Sequence, residues 1–163
     1  ILNQKADFPL HGRNRRLPKD AVNAMLSFAY TLIANDTSAA LETVGLDPYV
    51  GFLHTLRPGR TSLALDMMEE LRAYLGDRFV LSLINKRQIT SKDFLFQGDN
   101  GVVMTDKGKK TFISAWQARK REVIINPYLN EKLEIGLLPY VQAMLMARYI
   151  RQDIDNYPVF LIK

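Results

Sequence analysis

The feature that most limits how this chain can fold is the recurrence of apolar residues at intervals of three and four. Pro18 and Asp20 are typical of a helix start. The apolar residues that follow at helical spacing are Val22, Met25, Leu26, Ala29, Leu32 and Ile33. This period predicts an amphipathic helix that ends near Asn35 and Asp36.

Further helices are predicted along the chain by the same spacing. Thr37 is expected to cap a short helix over 38–44, with Gly45 as its C-terminal stop. A longer helix should begin near Thr61 or Ser62 and bend at Gly76. The last helix is expected to start at Leu138-Pro139 and to run to about Ile154, before an extended tail over 157–160.

One segment has a different pattern. Residues 94–105 read as two short β-prone runs around Gly-Asp-Asn-Gly, which predicts a small β-hairpin. A helix should follow Thr105, with Trp116 in the core rather than as a base-stacking platform. The stretch 123–129 contains Pro127 and is predicted to be a connector. The expected fold is mainly α, a single helical domain with one small β-hairpin.

The composition narrows the class of protein. The chain has 163 residues, the size of one domain, and 47% of them are apolar. Because it contains no cysteine, disulfides, zinc–thiolate sites and thiol catalysis are excluded, which fits a reducing, cytoplasmic setting. No run is long enough for a membrane span and no signal peptide opens the sequence. Since the first residue is isoleucine, we expect the chain to begin inside a longer polypeptide.

The charge is basic and unevenly distributed. The formal net charge is +5, which favours a polyanionic partner. Residues 11–19 and 107–121 are basic clusters, and Arg57 and Arg60 flank Pro58-Gly59. The cluster over 11–19 favours nucleic acid because guanidinium groups suit phosphate. For 107–121, a phosphate-binding surface and an ordinary solvated helix face both remain open.

Three residues could form a metal site. His54 is followed twelve and fifteen residues later by Asp66 and Glu69, which are three apart on a predicted helix and so share a face. An imidazole and two carboxylates suit a hard divalent ion such as Mg²⁺ or Mn²⁺. Each residue also has a simpler interpretation. His54 could be a structural histidine, and Asp66 and Glu69 could belong to an exposed acidic face of the helix. Glu70 could pair with Arg72 or Arg78.

Several blocks of the sequence stand in a characteristic order, at 13–30, 45–54, 60–72, 135–139 and 147–151, followed by the tail Tyr-Pro-Val-Phe. These blocks, in this order, resemble the CRISPR-associated integrase family, Cas protein one, and look closest to its type I-C branch. The likeness covers essentially the whole chain.

The resemblance implies a metal-dependent DNA endonuclease and integrase that inserts spacers into a CRISPR array, using Mg²⁺ or Mn²⁺. Its implied partners are DNA (protospacer and CRISPR repeat), a second copy in a homodimer, and Cas protein two. The family has a small N-terminal β domain and a larger helical catalytic domain. Residues 1–163 look like the helical domain only.

Matched position by position, His54 corresponds to the family's metal-binding histidine and Glu69 to its downstream carboxylate ligand. Asp66 corresponds to a neighbouring acid that matters for activity. The candidates for DNA backbone contacts are Arg13, Arg15, Arg16, Arg57 and Arg60. The family's first glutamate ligand has no counterpart here, so the fragment alone is expected to be inactive. The alternative is a catalytically silent helical DNA-binding or assembly module.

Overall fold

The computed structural model describes residues 3–14, 17–49 and 62–162. Its α-helices are α1 (Ala21–Thr43), α2 (Ser62–Leu71), α3 (Arg78–Asn85), α4 (Asp106–Lys120) and α5 (Leu138–Ile150). Its strands are β1 (Phe94–Phe96), β2 (Val102–Met104), β3 (Val123–Ile125) and β4 (Lys132–Glu134). A π-helical segment, Arg72–Asp77, separates α2 from α3 and includes Gly76, where a bend was predicted. The mainly α prediction is confirmed.

Helix α1 is longer than the sequence predicts. The expected break after Asn35 and the separate helix capped by Thr37 are wrong, because α1 is continuous from Ala21 to Thr43. The Thr37 hydroxyl donates to the carbonyl oxygen of Ile33 at 2.7 Å, within the helix. A threonine can satisfy its hydroxyl in this way or cap a helix, and spacing alone does not distinguish the two uses.

Gly45 ends this helix as predicted. Its φ of +82° lies in the left-handed region that favours glycine. Beyond it, the Leu46 amide donates to the Leu41 carbonyl oxygen at 2.9 Å, which closes the last turn.

Residues 123–134 form a second hairpin that the sequence reading missed. The predicted connector over 123–129 is wrong in its first part, because β3 pairs antiparallel with β4, with Ile124 opposite Leu133. The turn begins at Asn126, whose Oδ1 accepts the amides of Tyr128 and Leu129 at 3.0 and 2.9 Å. The predicted hairpin over 94–105 is confirmed, with Leu95 opposite Val103.

The chain divides into two compact units, and the first comprises Ile1–Thr31 and Gly76–Arg119. Its core is aromatic. Phe112 lies edge-on to Phe28 and Phe79, with ring centroids 5.1 Å apart in both pairs. Trp116 also packs edge-on against Phe79 and is buried, so its predicted place in the core is confirmed. The hairpin β1–β2 and helices α3 and α4 belong to this unit.

The second unit comprises Leu32–Leu75 and Lys120–Lys163. Helices α2 and α5 pack together in its core through small and flexible apolar side chains. The core residues are Ala40, Leu41, Leu63, Ala64, Met67, Ala143 and Met146. The candidate carboxylates on α2 lie in this unit.

Helix α5 begins at Leu138 as predicted but ends at Ile150, four residues earlier than expected. Gln152 adopts a φ of +64°, which takes the chain out of the helical path. The Asp153 amide then donates back to the Arg148 carbonyl oxygen at 2.9 Å. The early end leaves residues 151–162 as the C-terminal tail. Within the described ranges, no helix combines the length and apolar character needed to cross a membrane.

Candidate active site

The second unit contains a cavity of about 550 Å³ between α2, α5 and the C-terminal tail. Apolar side chains from the two helices and polar side chains from all three elements line it. The lining residues are Leu63, Asp66, Met67, Glu69, Glu70, Met146, Tyr149, Asn156, Tyr157 and Val159. The carboxylates Asp66 and Glu69, which were candidates from the sequence, therefore line a cavity that is open to solvent on one side.

Asp66, Glu69 and Glu70 reach this cavity because they lie three and four residues apart on α2, which places them on one side of the helix. The buried residues Leu63, Ala64, Met67 and Leu71 hold α2 in the core, and Leu63 and Met67 also line the cavity beside these carboxylates. Asp66 and Glu70 are half-buried and Glu69 is exposed. The expectation that Asp66 and Glu69 share a face is confirmed.

Glu69 forms an ion pair with Arg72 one helical turn later. The Nη1 of Arg72 lies 3.2 Å from Oε2 of Glu69, and the two side chains are 37% and 42% exposed. An exposed pair of this kind stabilises a fold by only ~0–1 kcal/mol. The carboxylate of Glu69 is therefore available to a more strongly bound cation at little cost.

Glu70 is held in a hydrogen-bond network, which we call the Glu70 network, with Gln142, Tyr157 and Phe160. The Tyr157 hydroxyl donates to Oε1 of Glu70, and the Phe160 amide donates to Oε2 at 3.2 Å. Nε2 of Gln142 donates to the Tyr157 oxygen at 2.9 Å and lies 3.4 Å from Oε1 of Glu70. Nε2 also donates to the Pro158 carbonyl oxygen at 3.1 Å. This network fastens the tail to α2 and α5.

The surroundings of the Glu70 network raise the pKa of both of its titratable groups, Glu70 and Tyr157. Burial raises the pKa of Glu70 above its ordinary value, although the hydrogen bonds from Tyr157, Phe160 and Gln142 act in the opposite direction. Burial also raises the pKa of Tyr157 strongly, and the adjacent negative charge of Glu70 adds to that rise. At neutral pH, Tyr157 is therefore a protonated donor.

The Glu70 network is not predicted by the sequence. From its spacing, Glu70 could pair with Arg72 or Arg78, and Tyr157 is predicted to lie in an extended tail. The available signal is Gln142, a polar residue in an otherwise apolar stretch of α5. Gln142 is 1% exposed. A buried amide needs hydrogen-bond partners, but the sequence does not say which ones.

The remaining predicted site residues are only partly described. His54, Arg15, Arg16, Arg57 and Arg60 lie outside the described residues.

Arg13 is described, in the first unit. Its guanidinium lies over the Tyr30 ring, 5.1 Å from the centroid, and Nη1 donates to Oδ1 of Asn23 at 2.5 Å. Asn23 is itself fixed by Asp20, whose Oδ2 accepts its side-chain amide at 2.8 Å. The Arg13 side chain is thus anchored while still exposed to solvent.

A metal ion would find oxygen donors here. Asp66 and Glu69 offer carboxylates of the type that Mg²⁺ and Mn²⁺ prefer. In the described part of the chain, no group of three or more histidine, cysteine, aspartate or glutamate side chains is arranged to hold a metal. The two carboxylates fit a divalent ion as part of a larger ligand set.

The chain matches a family model described as CRISPR associated protein Cas1, over residues 1–118. The chain is similar to the CRISPR-associated endonuclease Cas1 1 of Chlorobaculum tepidum, at 57% identity over 154 residues. That match covers 94% of this chain and 45% of the relative. The chain therefore spans about half the length of this curated relative.

Solved structures share the fold. A CAS1 protein from Thermotoga maritima matches with a TM-score of 0.80 and 27% identity, over 99% of this chain and 48% of that one. A casposase bound to integration product matches with a TM-score of 0.82 and 24% identity, over 93% and 45%. A Cas6-RT-Cas1–Cas2 complex matches with a TM-score of 0.78 and 22% identity, over 98% and 18%. The last two matches, below 25% identity, show the fold alone.

Proposed function

Because the chain belongs to the CRISPR-associated Cas1 family, we propose that it is the helical catalytic region of a divalent-metal-dependent DNA endonuclease and integrase. In this proposal the full protein inserts spacers into a CRISPR array, and an N-terminal β domain completes it. The observation that supports the proposal most is that Asp66 and Glu69 line one cavity on α2. The assignment to the type I-C branch stays a prediction.

We propose that His54 and Glu69 hold a Mg²⁺ or Mn²⁺ ion, together with a glutamate from another part of the longer protein. When bound, such an ion supplies Lewis-acid polarisation of a phosphodiester and lowers the pKa of an attacking hydroxyl. The carboxylate chemistry of the cavity supports this choice of ion. The weak Arg72–Glu69 pair also supports it, because Glu69 can exchange one cation for another.

The other residues of the chain bind and orient DNA in this proposal. Asp66 adds a second negative charge beside Glu69, which favours a cation at this wall of the cavity. Arg13, Arg15, Arg16, Arg57 and Arg60 hold the phosphate backbone without reading its sequence. Arg13 is suited to this task because its anchored guanidinium keeps further N–H donors in solvent.

The proposed partners are DNA, a second copy of the protein and Cas protein two. The casposase with a matching fold is bound to integration product, and another matching fold occurs in a Cas6-RT-Cas1–Cas2 complex. These neighbours support DNA and Cas protein two as partners. The homodimer rests on the family resemblance.

A second candidate function is a catalytically silent helical module that binds DNA or assembles with other proteins. Such a module would keep the DNA-binding surface of the chain but not the metal chemistry. Both functions predict DNA binding, but only the first predicts turnover that depends on a metal.

A strand-transfer assay with the full-length protein on branched DNA separates the two functions. We expect product with Mn²⁺ and none with EDTA, and we expect His54→Ala to abolish turnover while DNA affinity stays within about threefold, since His54 is a metal ligand and not a backbone contact. DNA binding by the wild type without any strand transfer would support the silent module. Full turnover by His54→Ala would contradict the proposed metal site.

A further inference from the structure

The C-terminal tail contacts α2 next to the candidate catalytic residues. Glu70 follows Glu69 directly and lies four residues after Asp66, so the Glu70 network holds the same face of α2. Asn156, Tyr157 and Val159 of the tail line the cavity opposite these carboxylates. The tail is therefore one wall of the cavity into which Asp66 and Glu69 point.

The tail is fixed at two successive turns of this helical segment. At the first turn, both oxygens of the Glu70 carboxylate accept hydrogen bonds, from the Tyr157 hydroxyl and from the Phe160 amide. At the second turn, Tyr74 lies edge-on to Phe160, with ring centroids 5.6 Å apart. Phe160 is 4% exposed, so its side chain is an anchor and not a loose end.

Gln142 links the tail to α5 as well. Its side-chain amide donates to the Tyr157 oxygen and to the Pro158 carbonyl oxygen. The tail, α2 and α5 are thus joined by one set of hydrogen bonds, in which Tyr157 both donates and accepts. Loss of the Tyr157 hydroxyl breaks the set at its centre but leaves the ring packing in place.

We propose that Glu70 and Tyr157 are positioning residues, which hold the C-terminal tail as a wall of the active-site cavity and fix the orientation of Asp66 and Glu69. They act through those carboxylates and do not contact the reacting atoms. This inference rests on the proposed DNA strand-transfer function. It assigns to the tail a role in catalysis beyond the ligands themselves.

Full-length Tyr157→Phe protein tests the proposal, with Tyr140→Phe as the matched control because Tyr140 is exposed on α5. We expect kcat for Mn²⁺-dependent strand transfer to fall about tenfold or more in Tyr157→Phe, with the protein still folded and the KM for DNA nearly unchanged, since small misplacements of catalytic groups cost rate. Tyr140→Phe should match the wild type. Wild-type kcat in Tyr157→Phe would overturn the proposal.

Two substitutions of Glu70 separate positioning from a direct role of its charge. Glu70→Gln keeps a single oxygen acceptor, so it can retain the bond from Tyr157 or the bond from Phe160 but not both. Its kcat should lie between that of the wild type and that of Glu70→Ala, which should lose about tenfold or more. Equal activity in the two variants would contradict positioning. An inactive but folded Glu70→Gln would also contradict it, because the carboxylate charge would then be required.

Hydrogen–deuterium exchange tests the same network without reference to activity. Tyr157→Phe should speed exchange in the peptides that cover α2 and the tail, and Tyr140→Phe should not. If the wild type shows no strand transfer while this exchange effect is present, the proposed function fails and the structural link survives. If Tyr157→Phe leaves exchange in α2 unchanged, the positioning proposal fails whatever the activity.

Discussion

The hydroxyl of Tyr157 donates a hydrogen bond to the carboxylate of Glu70, although the two residues are 87 positions apart in the chain. This bond joins the C-terminal tail to the helix that bears Asp66 and Glu69. Because both groups are largely withdrawn from solvent, their partners are costly to remove. The bond thus couples the stability of the second unit to the geometry of the candidate site.

Glu70→Ala should lower the free energy of unfolding by about 1–3 kcal/mol, since it leaves the Tyr157 hydroxyl and the Phe160 amide without their acceptor. Urea denaturation measures the change. Glu131→Ala is the control, because Glu131 is exposed, and it should alter stability by less than about 0.5 kcal/mol. Equal effects in the two variants would contradict the importance of the Glu70 network.

Tyr157 should stay protonated at a pH where exposed tyrosines ionise. Its pKa is raised above the ordinary value of 10.0, by burial first and by the charge of Glu70 second. Its contribution to stability is therefore fully present below pH 10 and is lost as the pH rises through the higher folded pKa.

Tyrosinate absorbance checks this directly. Before the protein unfolds, Tyr157→Phe should leave the amount of tyrosinate formed near pH 10 unchanged, because Tyr157 is still protonated at that pH. A Tyr157→Phe titration that lacks one tyrosinate near pH 10 would contradict the raised pKa of Tyr157.

Phe112→Ala should cost about 3–5 kcal/mol of unfolding free energy, the range for large aromatic truncations in a core. Phe112 is fully buried between Phe28 and Phe79. Its neighbour in sequence, Ile113, is 42% exposed, so Ile113→Ala should cost less than about 1 kcal/mol. Chemical denaturation of the two variants measures the difference. Similar losses of unfolding free energy in both would contradict the assignment of Phe112 to the core.

Gly108→Ala should destabilise the protein even though alanine is favoured in helices. Helix propensity alone would make the change favourable by about 1 kcal/mol. A Cβ at this position would lie 2.7 Å from the Asp93 carbonyl oxygen and 3.0 Å from the Asp93 Cβ, so the backbone must shift. Thermal melts decide the sign. Ser114→Ala, at an exposed site on α4, should be neutral or stabilising.

Periodicity was enough to predict the helical fold because apolar spacing reports which face of each helix is buried. The helical spacing predicts that Asp66 and Glu69 share a face of α2, and the structure confirms that both line one cavity. The hairpin over 94–105 was predicted for a similar reason, since its turn residues are specific. These features depend on residues close in sequence.

The features that were missed depend on distant partners or on ambiguous polar residues. Thr37 can cap a helix or bond within one, and its environment in the core decides between the two. Asn126 and Pro127 are typical of a connector, although the β-prone run before them pairs with β4. The Glu70–Tyr157 bond joins residues whose proximity follows only from the packed fold.

The most direct test of the proposed metal-dependent activity is the Mn²⁺-dependent strand-transfer rate of full-length Glu69→Gln protein on branched DNA, with Glu131→Gln as control. Loss of a residue that only hydrogen-bonds to a metal ligand lowers metal affinity or activity ~10–100-fold. Removal of a ligand itself should therefore lower the strand-transfer rate by at least about 100-fold. DNA affinity should stay within about threefold, and Glu131→Gln should match the wild type. A wild-type rate in Glu69→Gln would contradict the assignment of Glu69 as a metal ligand and, with it, the proposed active site.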